Sequence, residues 1–331
     1  MENGINRYIK MLLEQNKTEV LAIALQLKLF NYLEKQDMSL ECLVKELNTN
    51  AKNTNTLLKA LAMIDLIYKK DDFYKNTEVT KKYFIYAAST YCGDVFLHRN
   101  EMLNHGRKAM SSLVSEGAKD VAMAKNPKKW ATASRKFLKQ EQTNLISKSV
   151  VEIVKNLKEY PKMTKMLDLG CASGVLGLEI VKSHPTMKGV LFDFPDVTDV
   201  VSTHIKEYNL EDKVSILCGD IQNDNIGSRY DLIWCSNIFY FLDNKTDVLE
   251  KIYKALNPNG ILVSAHVEVG EEPQEYEDSF FYFLGLNLQG RTIFKPMELS
   301  NILEHTGFRT INSYTTSEFP MTPTQIHIAK K

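Results

Sequence analysis

LDLGCASGVLG, residues 167–177, follows a short apolar run and leads into a helical pattern, so it reads as a strand, a tight turn and a helix. Its glycines, Gly170, Gly174 and Gly177, are spaced G-x-x-x-G-x-x-G, not in the G-x-G-x-x-G pattern of dinucleotide binders. In that fingerprint the second glycine lets the backbone approach a pyrophosphate; here Ala172 stands in its place. The turn is nucleotide-like in position without being shaped for phosphate.

Downstream of Lys165, short apolar strands alternate with helices. MLDL, GVLFDF, VSIL, DLIWCS and ILVSAHV are the strands, with helices near 175–183, 197–208 and 244–256. Such alternation predicts a mostly parallel, doubly wound sheet of α/β class with helices on both faces. Ligands of these sheets lie beyond the carboxyl ends of the strands. The first end gives Asp168 and Gly170. The second gives Asp193, about twenty residues past the turn, where an acid can take both hydroxyls of a ribose. The third gives Asp220 and Ile221, a carboxylate for an adenine edge and an apolar side chain for its face. The fourth gives Cys235, Ser236 and Asn237.

That set suits an adenosine that carries no phosphate and has a positive charge nearby, because carboxylates repel a pyrophosphate and favour a cation. S-adenosylmethionine meets both conditions. Gly170 and Gly174 then admit the backbone to a methionine moiety and a ribose.

The N-terminal part has another periodicity. From Thr18 to about Leu33, Val20, Leu21, Ile23, Ala24, Leu27 and Phe30 recur at helical spacing. A second helix opens at Ser39 and runs to Leu47, and a third at Asn53 and runs to about Ile64. LIYKK and FYKN then flank Asp71 and Asp72 as two short strands. This is a mainly α winged-helix pattern. Long helices follow from about Asp94 to Tyr160, interrupted near Asn126 and Pro127. The expected organisation is a winged-helix domain over 1–90, a helical region over 91–160 that contributes to the active site, and a Rossmann-like domain over 161–331.

Composition narrows the function classes. The 331 residues are 44% hydrophobic, enough for a full core, and 41 basic side chains balance 41 acidic ones. No global field draws nucleic acid or an anionic membrane. Residues 1–85 hold thirteen Lys and Arg against eleven Asp and Glu, and the third helix, TLLKALAMIDL, is mostly apolar. Phosphate neutralisation dominates DNA affinity, so dimerisation suits this winged helix better than DNA binding. The five cysteines fall in no C-x-x-C spacing, which suggests neither a disulfide framework nor a metal site and fits the cytoplasm. There is no membrane-span-length apolar run and no signal-peptide pattern at the start.

DLGCASGVLG, LFDFPDV, GDI and the tail from NPNGILVSAHV to EHTGF resemble the catalytic domain of the S-adenosylmethionine-dependent small-molecule O-methyltransferases of the acetylserotonin and caffeate type. TEVLAIALQLKLFNYLEK and LLKALAMIDLIYKK are similar to that family's winged-helix dimerisation domain, and the resemblance covers nearly the whole chain. It implies a homodimer, a class I methyltransferase fold and a small-molecule acceptor. It also implies a catalytic histidine before a W-x-D, yet the stretch here is SNIFYFLD, with Phe239 at the histidine and Tyr240 at the acid. Of the two carboxylates that flank that histidine in the plant enzymes, His266 stands at the first and Ile293 at the second.

Three readings of the reaction follow. In one, His266 is the general base. In another no base is needed and proximity drives transfer, within a pocket lined by Asn237, Phe239, Tyr240 and Tyr282. In the third, the acceptor atom is carbon, nitrogen or sulfur, or the protein only binds the cofactor. A DNA-binding regulator that senses a small molecule is the competing class.

Overall fold

The computed structural model describes residues 4–118, 126–320 and 323–331. The chain divides into two compact units, one ending at Asn104 and the other beginning at His105.

In the first unit, α1 (Gly4–Gln26) stops where Lys28 turns left-handed at φ 56°, and α2 (Leu29–Lys35) follows as a separate short helix. The single helix expected over 18–33 is therefore two. Ser39 caps α3 (Leu40–Leu47) by accepting from the Cys42 N–H. Asn50, three residues before the expected Asn53, caps α4 (Ala51–Met63) and accepts from the Asn53 N–H. The strands β1 (Ile67–Lys70) and β2 (Phe73–Asn76) pair antiparallel as a wing, and α5 (Glu78–Tyr83) and α6 (Gly93–Glu116) come next. Leu25, Leu29, Phe30, Leu33, Leu43, Leu58, Leu61 and Ile67 form one core, each worth about 1.5–3 kcal/mol in transfer terms.

The second unit takes in the last part of α6 and then, from Pro127, a long helical segment made of α7 (Pro127–Ala133), α8 (Lys139–Glu141) and α9 (Ser147–Lys155). They are joined by two π-helical stretches, Ser134–Leu138 and Gln142–Ile146. The sheet then builds from β3 (Lys165–Leu169), β4 (Lys188–Asp193), β5 (Val214–Cys218), β6 (Tyr230–Ser236), β7 (Leu256–His266), β8 (Thr310–Thr316) and β9 (Thr324–Lys330). Its order is β5-β4-β3-β6-β7-β9-β8. The five expected strands are present and pair in parallel, and β9 and β8 add an antiparallel margin.

Alternation along the strands fills two cores. Met166, Leu232, Trp234 and Val263 pack beneath α9, α10 (Val175–Lys182) and α11 (Pro195–Glu207). Leu167, Leu169, Ile233 and Leu262 pack on the other face against α12 (Lys245–Ala255) and α14 (Glu298–Thr306). The remaining helix, α13 (Pro273–Leu288), follows β7. Chain order reverses between β3 and β6, so the crevice of a doubly wound sheet opens at the end of β3, where LDLGCASG stands.

Candidate active site

The turn after β3 is left-handed at alternate residues: Gly170 at φ 73°, Ala172 at 52° and Gly174 at 78°. A Cβ on Gly170 would lie 2.6 Å from Ile238 Cγ2, and one on Gly177 2.4 Å from Leu191 Cδ2. Only glycine permits either approach. The Gly170 and Cys171 N–H groups donate to the Phe192 carbonyl at 2.9 and 3.1 Å, which binds the turn to the end of β4. From the helical segment, Gln142 Oε1 accepts a short hydrogen bond from the Ser173 hydroxyl. The Ser173 carbonyl in turn accepts from His204 Nδ1 at 2.7 Å.

Three carboxylates end three adjacent strands. Asp168, almost fully buried, accepts from the Gly177 N–H at 2.9 Å; burial, and to a lesser degree the nearby Asp193 charge, push it up to about 7. Asp193 Oδ2 accepts from the Ala172 N–H and Oδ1 from the Phe194 N–H, both at 2.8 Å, and burial pushes it up to about 6. Each oxygen keeps a second lone pair. Asp220 Oδ1 accepts from the Gln222 N–H at 2.9 Å and Oδ2 from Asn223 Nδ2 at 2.8 Å, beside the buried Ile221.

Beyond β6 and β7 the character changes. Cys235 is fully buried in the lower core, and burial raises its thiol well above the ordinary range. Its side chain faces this core, on the inward side of β6. Asn237 turns left-handed at φ 53°, and its N–H donates to the Ala265 carbonyl at 3.1 Å. His266 is fully buried beneath Phe239, ring centroids 4.4 Å apart and nearly parallel. Its Nε2 accepts from the Ile238 and Phe239 N–H groups at 3.2 and 3.3 Å, leaving Nδ1 to donate to Ser264 Oγ at 2.8 Å. Backbone N–H groups only donate, so the tautomer is fixed with the proton on Nδ1. Burial first, then the charges of His327 on β9 and Lys245 on α12, hold its pKa well below the usual imidazole value.

This geometry does not fit a general base. The lone pair that would take a proton already accepts from two backbone N–H groups, and the ring is fully buried. Phe239 and Tyr240 are likewise buried. The Tyr240 hydroxyl donates to the Val267 carbonyl at 3.1 Å and accepts a short bond from the Val267 N–H. Tyr282 and Asn237 remain half-buried, Tyr282 edge-on to Phe283 at 5.1 Å. Sequence reasoning missed Gln142, Ser264 and Ile238, whose contacts depend on partners 28 to 31 residues away or two positions along a strand.

No Lys or Arg occurs in 168–177, 193–196, 218–224 or 235–239. A turn closed to any side chain at Gly170, carboxylates with spare lone pairs and strand-end segments without Lys or Arg together fit an adenosyl sulfonium. Among the described residues no cluster of His, Cys, Asp or Glu is arranged to hold a metal, and no helix is long and apolar enough to cross a membrane.

Comparison with known proteins agrees with this geometry. The O-methyltransferase domain profile matches residues 109–309, and the O-methyltransferase dimerisation domain profile residues 10–85. The 8-O-methyltransferase TcmO of tetracenomycin polyketide synthesis in Streptomyces glaucescens is 22% identical over 317 residues, covering 91% of this chain and 90% of that one. An uncharacterised protein of Methanocaldococcus jannaschii is 27% identical over 256 residues, 74% of this chain and 65% of that protein. Human N-acetylserotonin methyltransferase, solved in complex with SAM, shares the fold at TM-score 0.82 and 18% identity, with 100% of this chain and 98% of that one covered. With more than half of its length inside the first profile, the chain belongs to the O-methyltransferase family and is an S-adenosylmethionine-dependent methyltransferase.

Proposed function

We propose that this enzyme methylates an oxygen of a small aromatic or apolar acceptor without a general base of its own. The observation that carries this reading is the Phe239 ring stacked on a neutral His266 whose acceptor nitrogen is already occupied. When bound, S-adenosylmethionine supplies an electrophilic methyl group on a sulfonium. Asp193 accepts from the ribose hydroxyls, Asp220 and Ile221 take the edge and face of the adenine, and Gly170 and Gly174 bring the backbone close to the methionine moiety. Asp168 holds the helix behind the turn through Gly177. The acceptor then arrives already nucleophilic, as the phenolate of an acidic phenol that has given its proton to solvent, and positioning supplies the acceleration. An amine, thiol or carbanion reaches the same end by the same route.

The Ser173–Gln142 bond supports a contribution of the 91–160 region to the site. The dimerisation profile, with Ile5, Tyr8, Met11 and Leu12 exposed on α1, supports a homodimer built on the N-terminal unit. Scattered cysteines without a disulfide support a cytoplasmic protein.

The test is a set of pH–rate profiles with labelled S-adenosylmethionine over phenols of graded acidity, with an amine and a thiol beside them. The acid limb of kcat/KM should track each acceptor's own pKa. His266→Gln should keep turnover within about threefold, because its side-chain oxygen can accept from the same two N–H groups. A limb fixed at one pH for every acceptor, with turnover lost in His266→Gln, would restore the histidine as base.

A further inference from the structure

The loop after β5, GDIQND (219–224), carries Asp220 and Ile221 but has neither helix nor strand to hold it. Its backbone carbonyls must find partners elsewhere or stay with water. Three find the same one. Lys251 Nζ, from the second turn of α12, donates to the carbonyls of Ile221, Gln222 and Asp224 at 2.8, 3.1 and 2.8 Å. An ammonium has three donors, so the head group is fully used. Its neighbours Leu249 and Ile252 are buried in the lower core, which anchors the stem.

The rest of the loop closes around this point. Asp224 Oδ2 accepts from the Asp220 N–H at 2.7 Å and lies where a Cβ on Gly219 would come within 2.8 Å. Gln222 Oε1 accepts from the Asp243 N–H at 2.7 Å. The Gly219 N–H donates to the Asp193 carbonyl at 3.0 Å, joining the loop to the β4 end. Asp220 is aimed by the Gln222 N–H and Asn223, both inside the segment that Lys251 gathers.

We propose that Lys251 is a positioning residue for the purine of the cofactor: it touches no ligand, and it sets the Asp220 carboxylate against the 6-amino edge by fixing the 221–224 carbonyls. This rests on the assignment of Asp220 and Ile221 to the adenine. The mechanism makes a claim that a merely stabilising lysine would not satisfy, because losing Lys251 should blur the recognition of the base and not only weaken binding.

The experiment is calorimetric titration of the full chain with S-adenosylhomocysteine and with S-inosylhomocysteine, which carries a 6-oxo group in place of the 6-amino group. The wild-type protein should prefer the adenine ligand by about tenfold or more, the scale for a hydrogen bond to a charged group. Lys251→Met should lose most of that preference, binding S-adenosylhomocysteine about tenfold more weakly while the 6-oxo ligand changes by less than about threefold. Lys251→Arg should retain the preference. A wild-type ratio in Lys251→Met, with both affinities unchanged or both lowered together, would overturn the proposal. If that variant does not fold, Lys251→Gln, with two donors, replaces it, and a wild-type ratio there counts equally against it. Wild-type binding without preference would refute the base assignment and the proposal with it, whereas no binding of either ligand would refute the cofactor site itself.

Discussion

The carboxyl ends of β3, β4 and β5 and those of β6 and β7 lie along one sheet edge, yet they are built on opposite principles. On the first side three carboxylates are oriented by backbone N–H groups and keep lone pairs for a ligand. On the second, an imidazole, two aromatic rings and a thiol are closed against one another, with every strong polar atom of His266 and Tyr240 satisfied internally. The first side holds open acceptor capacity and the second is closed packing. Polar groups of unpaired capacity mark recognition, whereas a histidine with both nitrogens occupied marks architecture, whatever its place in the sequence.

The sharpest way to break this contrast is at the point where the two sides touch. Gly170→Ala puts a methyl group into Ile238 and forces an L-residue to φ 73°. Left-handed strain of about 1–2 kcal/mol and overpacking of similar size should lower stability by about 2–4 kcal/mol in denaturant unfolding. An unchanged midpoint would mean the sides are not pressed together. Next in size, Asp193→Ala removes the ribose acceptor, and the affinity for S-adenosylhomocysteine should fall by about 1.5–3 kcal/mol in calorimetry. A smaller loss than in an Asp220 variant would move the centre of recognition to the base.

The smallest effect is one of pH. Asp168 and Asp193 titrate near 7 and 6 in the fold, above their ordinary value. Their contribution to stability is therefore full below about pH 4 and is lost as pH rises through 6 to 7. A cationic, hydroxyl-donating ligand reverses the preference by favouring the ionised forms. Its affinity should fall by roughly tenfold between pH 8 and pH 6, with proton release on binding near neutrality. A flat profile would show that the carboxyls remain ionised without the ligand.

Much of this was legible in the chain. The five parallel strands, the left-handed turn at Gly170 and the acids at three strand ends follow from local pattern, because periodicity and glycine placement act over a few residues. β8 and β9 were not foreseen: TINSYTT has no apolar face, and it becomes a strand only because β9 pairs with it and with β7. The cap of α4 fell three residues from its expected place because asparagine occurs at both positions and only the backbone geometry selects Asn50. The surroundings of His266 were not legible, for a deeper reason. Ser264 and the 238–239 amides reach it from the same strand and from a segment 27 residues back, and no spacing rule announces that a ring nitrogen is already taken.

The polar margin β8 has one more consequence. Its free edge offers backbone N–H and C=O groups to a further strand, but five of its seven residues are exposed, and of those only Tyr314 has much apolar surface to bury. Another chain that docked there would gain ladder bonds and little else. Such a border discourages fibrous growth from the open side of the sheet.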